Sequence, residues 1–207
     1  GEEFGAVVAD FGSSTVRIGR AGEDAPRVNY VSNTGVTTDD KGRKYHFDNT
    51  YHTEGMEVDT FIQDGIVKNW DMYEAAWNHA INTLGADLSE APLLLSEKPY
   101  NSPQARHRAC ELMFEKYKIP AIFMCKDVSL ACYAVGRTTG VVVDIGGSGA
   151  VIAPVSDGWV QSKSLNPSPN TQFKCKRRWW RRVVWPSSLC MRRTTATWRG
   201  VVSGASI

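Results

Sequence analysis

Two stretches of the chain repeat one pattern, and this pattern restricts the folds that the chain can adopt. In residues 6–22 and again in residues 141–152, an apolar run reaches an aspartate, a turn of small residues follows, and a second strand-like run leads away. The aspartates are Asp10 and Asp144. A strand, a tight turn and a second strand predict a β-hairpin. The sequence therefore predicts two similar hairpins, each with a carboxylate near the end of its first strand.

The turns of the two hairpins have the composition of an anion-binding site. Small side chains leave backbone N–H groups unshielded, and concave arrays of such groups bind anions, phosphate above all. One copy alone is more typical of an ordinary surface hairpin, but two copies suggest duplicated units that face one ligand. The pair could clamp a phosphate chain while its aspartates hold a hydrated Mg²⁺. The small residues of the turns are Gly12, Ser13 and Ser14 in the first hairpin and Gly146, Gly147, Ser148 and Gly149 in the second.

Three segments between and beside the hairpins have helical signals. Apolar side chains recur at three- and four-residue steps from Trp70 to Leu84, and Gly85 is a typical helix stop. Ser102 followed by Pro103 is typical of a helix start. A further helix is predicted from Asp127 to Val135.

The strand-like segments are short and alternate with these helices. Runs at 91–97 and 119–124 are apolar and bounded by proline or polar residues, which is typical of buried parallel strands. This alternation predicts an α/β fold. Residues 33–60 are polar and are predicted to form a long loop or a small hairpin insert, in which His46 and His52 are surface residues rather than ligands.

The charge of the chain changes sharply along its length. Residues 1–170 contain 15 Lys and Arg against 22 Asp and Glu, a net charge of −7, whereas residues 171–207 contain 9 Lys and Arg and no acid. Four of the seven tryptophans also lie in this tail. Basic and aromatic residues together could grip phosphates and stack on bases, so a nucleic-acid-binding arm is one interpretation.

The spacing of the cysteines and the lengths of the apolar runs argue against a cysteine-bound metal site and against a membrane span. The five cysteines are odd in number and lack metal-site spacing, and Cys125 and Cys132 are predicted to be reduced core residues. No stretch approaches the roughly 18 apolar residues of a membrane span, and the first residues are not typical of a signal peptide. We therefore expect no membrane partner.

Several ordered motifs occur over about residues 5–168. They are Asp10-Phe11-Gly12-Ser13, Ala21-Gly22-Glu23-Asp24-Ala25-Pro26, Gly65-Ile66-Val67-Lys68-Asn69-Trp70, Glu97-Lys98-Pro99-Tyr100-Asn101, Leu112-Met113-Phe114-Glu115, and Gly136-Arg137-Thr138-Thr139-Gly140 with the run to Asp144. Together these motifs resemble the actin superfamily. Two further stretches, 12–17 and 157–160, are similar to the nuclear actin-related proteins of chromatin remodellers, of the actin-like-six or BAF-fifty-three type.

The resemblance implies a ribonuclease-H-like α/β fold in which ATP lies in a cleft between two lobes. Residues 1–140 would form a nearly complete first lobe, and residues 141–168 would begin a truncated second lobe. Residues 169–207 do not follow the family and are predicted to be a disordered basic tail. A shifted reading frame, a splice variant and a genuine arm are the alternatives for this tail.

The resemblance also implies a role for each residue of the two turns. Gly12, Ser13, Ser14 and Arg17 would contact phosphates from the first lobe, and Gly146, Gly147, Ser148 and Gly149 would do so from the second. Asp10 and Asp144 would face Mg²⁺ and its waters. The helix from Asp127 to Val135 would be the hinge between the lobes.

Three departures from conventional actins bear on hydrolysis. This chain has Arg17 where they have lysine, Asp127 where they have a water-orienting glutamine, and Gly147 where they have an acid. In-line attack on a γ-phosphate needs a positioned water and an acceptor for its proton. We therefore assign no catalytic residue and predict that ATP binds weakly or not at all and is not hydrolysed.

Three functions remain open from the sequence. The first is a nuclear, non-catalytic subunit of a chromatin-remodelling or histone-acetyltransferase complex. The resemblance implies that its partners are a helix of the remodelling ATPase and actin or other actin-related subunits. The second is an ATPase or kinase of the same superfold, or a cytoskeletal actin-related protein. The third is a nucleic-acid binder that acts through the tail.

Overall fold

A computed structural model describes residues 5–40, 42–48, 54–162, 166–168 and 189–191, the last two segments by their backbone only. Its helices are α1 (Trp70–Leu84), α2 (Pro103–Glu111) and α3 (Asp127–Tyr133), with a 3₁₀ turn at Leu88–Glu90 and a π-helical turn at Leu112–Lys116. Its strands are β1 (Val7–Phe11), β2 (Thr15–Arg20), β3 (Val28–Val31), β4 (Thr34–Asp39), β5 (Gly42–His46), β6 (Glu57–Asp59), β7 (Ile62–Gln63), β8 (Ile66–Val67), β9 (Leu93–Glu97), β10 (Ile122–Lys126), β11 (Gly140–Gly146), β12 (Gly149–Ser156), β13 (Trp159–Val160), β14 (Asn166–Ser168) and β15 (Leu189–Met191).

The first predicted hairpin lies in a five-stranded mixed sheet with the order β10-β9-β1-β2-β3. Strands β1 and β2 are antiparallel and place Asp10 opposite Arg17. Strand β9 runs parallel to both β1 and β10, so the hairpin and the buried parallel strands predicted from the sequence are confirmed. Strand β10 begins at Ile122 rather than at Ile119, and Pro120 has no N–H to donate to a ladder.

Helix α1 contributes the aromatic side chains of Trp70, Tyr73 and Trp77 to the first core. Asn69 caps its start by accepting a hydrogen bond from the Met72 N–H at 3.1 Å, and Gly85 ends it in the left-handed region at φ 64°. The predicted apolar stripe is confirmed, because Tyr73 and Trp77 are buried in the core beneath the sheet. Helix α2 starts as predicted, with the Ser102 hydroxyl accepting from Ala105.

The second predicted hairpin forms the centre of another sheet, with the order β13-β12-β11-β15 and with β14 paired to β12. Asp144 on β11 lies opposite Val151 on β12. Helix α3 packs on this sheet through Val128 and Cys132. It ends at Tyr133 rather than Val135, where successive N–H groups bond back to closer carbonyls and a left-handed Gly136 follows. Strand β15 lies within the predicted tail and pairs in parallel with β11. The rest of the tail lies outside the described residues.

Residues 33–60 contain more regular structure than the loop or hairpin insert predicted for them. Strands β5, β4 and β6 form a three-stranded antiparallel sheet. Val36, Tyr45 and Phe47 pack from it against the first core. The His46 ring bonds to the Thr37 hydroxyl across the sheet at 2.8 Å, and His52 lies outside the described residues. The few apolar residues of this segment are too widely spaced to reveal the third strand.

The remaining predictions concern cysteines and membranes. Cys125 and Cys132 are buried core residues, as predicted, and Cys110 is partly exposed. No helix in the part of the chain that the structure describes is long and apolar enough to cross a bilayer.

Candidate functional site

The site is built where the parallel strands of the first sheet end. Strands β1, β9 and β10 run in the same direction, so their carboxyl ends meet at one edge, the usual location of ligand sites in such sheets. Asp10 projects from the end of β1. Its Oδ1 atom accepts a hydrogen bond from the Ser96 hydroxyl on β9 at 2.6 Å, and its Oδ2 atom lies 3.5 Å from a guanidinium nitrogen of Arg17. Asp10 therefore has a donor on each side.

A lysine joins the first sheet to the second at this edge. Lys98 follows β9, and its Nζ atom lies 2.7 Å from Asp127 Oδ2 at the start of α3 and 2.7 Å from Asp144 Oδ2 on β11. The three side chains are only 18–20% exposed. One ammonium group thus forms ion pairs with two carboxylates that come from different parts of the chain. We call Lys98, Asp127 and Asp144 the lysine bridge.

The electrostatics of the lysine bridge follow from burial and mutual attraction. Burial raises the pKa of Asp127 to about 6, the Lys98 ammonium opposes this rise, and the charge of Asp144 adds to it. Burial by itself would lower the pKa of Lys98, but the two carboxylates outweigh it and raise that pKa above its usual value. Lys98 is therefore a permanent cation at neutral pH. The Oδ1 atom of Asp127 is buried and has no hydrogen-bond partner among the described residues.

The Lys98 backbone is positioned by a second group of charges. The Glu97 side chain is 3% exposed and forms ion pairs with Arg106 and, at 2.9 Å, with Lys126. It also accepts from the Asn101 amide at 3.0 Å. These contacts hold the end of β9 and the segment that follows it. The lysine bridge therefore stands on a rigid strand end rather than on a loose loop.

The two hairpin turns touch each other directly. The hydroxyls of Ser13 and Ser148 are hydrogen bonded to each other. A Cβ atom added to Gly147 would meet the Cβ and N atoms of Ser14 at 3.2 Å and the carbonyl carbon of Ser13 at 3.3 Å. The Ser32 hydroxyl donates to the Gly12 carbonyl at 2.5 Å and so braces the first turn from behind. The side chains of Ser13 and Ser148, both predicted to contact phosphate, contact each other across the two turns.

The structure places the predicted residues at one site but not all in contact. Asp10 and Arg17 meet across the first hairpin, and the first turn meets Gly147 and Ser148 of the second. Gly146 is exposed and has open space where a Cβ would lie. Gly149 is in the positive-φ region at 124°, which the tight second turn requires. Their assignment as phosphate contacts stays a prediction.

The carboxylates of this site can be set against the coordination that Mg²⁺ requires. Mg²⁺ keeps several waters and is bound through one or two carboxylates in octahedral geometry. Asp144 is taken up by Lys98, and Asp10 by Ser96 and Arg17. Among the described residues no group of three or more His, Cys, Asp or Glu side chains could hold a metal ion. Because both carboxylates are already paired with cations of the chain itself, the site in this arrangement does not fit Mg²⁺.

Two functional residues were not singled out from the sequence. Ser96 and Lys98 lie at the end of a strand that was itself predicted, directly before and after Glu97. The signal that could have found them is position, because polar residues at the carboxyl ends of neighbouring parallel strands converge. Periodicity cannot show that Lys98 reaches Asp144, since the two residues are joined only by tertiary structure.

The fold and the site define a class of α/β protein in which two hairpin-bearing sheets meet through their turns and the lysine bridge. The family model described as actin matches residues 1–170 of this chain. The chain therefore belongs to the actin family.

The curated relatives are actin-related proteins. Actin-related protein 4 of Arabidopsis thaliana is 38% identical over 200 residues, which cover 82% of this chain and 45% of that protein. The protein of the same name from Oryza sativa subsp. indica is 36% identical over 82% of this chain and 46% of its own length, and that from Yarrowia lipolytica is 31% identical over 84% and 43%. The chain thus spans slightly less than half the length of the curated relatives it matches.

Proposed function

We propose that this chain is a non-catalytic actin-related subunit of a nuclear chromatin-remodelling or histone-acetyltransferase complex. In this proposal it acts through protein–protein contacts and binds ATP weakly or not at all. The observation that supports it most directly is the lysine bridge, because it occupies two acidic residues at the cleft with an internal cation. Membership of the actin family and similarity to actin-related proteins support the general class.

The absence of turnover follows from the roles that phosphoryl transfer requires. A water must be positioned in line with the γ-phosphate, and a group must accept its proton. Asp127 stands where conventional actins have the water-orienting glutamine, and here its Oδ2 atom is paired with Lys98 at 2.7 Å. Gly147 has no side chain to accept a proton and abuts the first turn. We propose that the cleft is a structural junction rather than a catalytic centre.

The proposed partners follow from the family resemblance. They are a long helix of the remodelling ATPase, laid across one end of the actin fold, and actin or other actin-related subunits. Recognition of an amphipathic helix requires an apolar groove and no catalysis. A nucleic-acid contact through the basic tail would add to this role and would show strong salt dependence.

Two measurements on the full chain test the proposal. ATP hydrolysis should remain at the level of a buffer control, and turnover near the roughly 1 per second typical of enzymes would refute the non-catalytic role. Fluorescence anisotropy with a labelled peptide of the remodelling-ATPase helix should give a micromolar or tighter dissociation constant, about 8 kcal/mol. A peptide whose apolar stripe is replaced by serine is the matched control. Equal binding of the two peptides, or of neither, would contradict the proposed mode.

A further inference from the structure

Charged side chains are concentrated where the two sheets meet. The carboxylates of Asp10, Asp127 and Asp144 lie there, paired with the cations of Lys98 and Arg17. The family resemblance would place Mg²⁺ against Asp10 and Asp144. In the structure each of these two carboxylates already has a cation of the chain itself. At Asp144 this cation is the ammonium group of Lys98.

We infer that Lys98 is the resident cation at Asp144, so that its ammonium group occupies a carboxylate that Mg²⁺ would need and links the two sheets without metal. The ammonium group is a compact point charge with three donors. Two of these donors are directed at Asp127 and Asp144, both at 2.7 Å. The Lys98 ammonium thus satisfies Asp144, whereas Asp10, the other carboxylate expected to face Mg²⁺, is paired with Arg17.

A second cation at this place is unfavourable for electrostatic reasons. A divalent ion would have to displace Lys98 from Asp144 or lie within a few ångströms of its ammonium group. The side chains are about one-fifth exposed, so the repulsion is screened less than it would be on the surface. The backbone from which Lys98 extends is fixed next to the carboxylates, because Glu97 beside it pairs with Arg106 and Lys126.

The inference goes beyond the proposed function, since it concerns the metal and not the partner. An internal cation is always present at unit occupancy, whereas Mg²⁺ binding depends on concentration and on nucleotide. The junction of the two sheets would therefore keep its closed arrangement whether or not a nucleotide is available.

Titration with Mn²⁺, followed by the electron paramagnetic resonance signal of the free ion, tests this in the full chain. Mn²⁺ prefers the same oxygen ligands as Mg²⁺. The unmodified chain should show no saturable site in the micromolar range. Lys98→Ala should bind Mn²⁺ at least tenfold more tightly than the unmodified chain does. Lys98→Ala combined with Asp144→Asn should lose this gain in affinity. Lys116→Ala is the matched control, because it removes a lysine that pairs with Glu74 away from this site, and it should leave Mn²⁺ binding unchanged.

Two results would overturn the inference. The first is a saturable Mn²⁺ site in the unmodified chain that disappears in Asp144→Asn. The second is a folded Lys98→Ala chain that gains no affinity for Mn²⁺. If Lys98→Ala does not fold, Lys98→Gln keeps a hydrogen-bond donor without the charge and carries the same expectation. Thermal melting of the unmodified chain in EDTA and in Mg²⁺ is an independent measurement, and equal melting midpoints are expected. A rise of the midpoint in Mg²⁺ that Asp144→Asn abolishes would contradict the inference.

Discussion

The contact between the two hairpin turns can be tested by adding one methyl group. Gly147 and Gly146 are neighbours in the second turn, and neither has a positive φ. A Cβ at Gly147 would approach Ser14 at 3.2 Å and Ser13 at 3.3 Å, closer than the 3.4–4 Å of ordinary contact. A Cβ at Gly146 would meet nothing within 4 Å. Gly147→Ala and Gly146→Ala are therefore matched variants that differ mainly in their contact with the first hairpin.

The expected difference in stability follows from two opposing effects. Replacing glycine by alanine restricts the unfolded chain and stabilises the fold by about 0.4–1 kcal/mol where the backbone tolerates it. Gly146→Ala should gain this amount. Gly147→Ala should gain it as well but lose about 1 kcal/mol, the bottom of the range for overpacking a core, because Gly147 is exposed and its neighbours must move only a few tenths of an ångström. The two variants should therefore differ by about 1 kcal/mol.

Thermal unfolding followed by tryptophan fluorescence measures this difference. For a chain of this length, 1 kcal/mol corresponds to roughly 2–4 °C in the melting midpoint. Gly147→Ala should melt several degrees below Gly146→Ala. Identical midpoints would mean that the turns are not in contact in solution, and the closed junction on which the proposed function rests would then be wrong.

Three further predictions concern the first core, a helix cap and a thiol. Trp77→Ala should lower the free energy of unfolding by about 3–5 kcal/mol, because the Trp77 side chain is fully buried and its ring centroid lies 4.4 Å from that of Phe11. Urea unfolding measures this loss. Ile81→Ala, at a half-buried position, is the milder comparison. Asn69→Ala should cost about 1 kcal/mol through loss of the α1 cap, whereas Asn82→Ala, on the exposed face of the same helix, should cost nothing; equal losses would contradict the assignment of the cap. Burial raises the pKa of Cys125 to about 11, so this group is almost entirely in the unreactive thiol form at pH 8. Peptide mapping after iodoacetamide treatment should show slow labelling of Cys125 at pH 8 and faster labelling as the pH approaches 11. Rapid labelling of the folded chain at pH 8 would show that the thiol is not buried.

Much of the local structure could be predicted from the sequence because it depends on neighbours in the chain. The apolar stripe of α1 and its end at Gly85 follow from helical spacing and from the freedom of glycine to adopt φ 64°. The two hairpins follow from short apolar runs that flank turns of small residues, and both form as expected. The family was also visible in the sequence, since several ordered motifs are far more specific than any single motif.

Other features were not predictable because they depend on residues that are distant in the sequence. The strands of the segment 33–60 are short and polar, and their apolar side chains are buried only by packing on the first core. The turns that contain Ser13 and Ser148 have a composition typical of phosphate-binding turns, and this is visible in the sequence. Only the folded chain shows that the two serine hydroxyls bond to each other. A turn that binds phosphate and a turn that contacts a similar turn have the same sequence pattern.

The lysine bridge marks the boundary between the two kinds of information most clearly. The sequence by itself determined that Asp10, Asp127 and Asp144 end or follow apolar segments, and that the chain belongs with proteins in which such residues converge. Only the tertiary structure decided that Lys98 lies between two of them, at 2.7 Å from each. The physical reason is that an ion pair depends on distance in space, and a lysine 46 residues before Asp144 is brought to it by the meeting of two sheets.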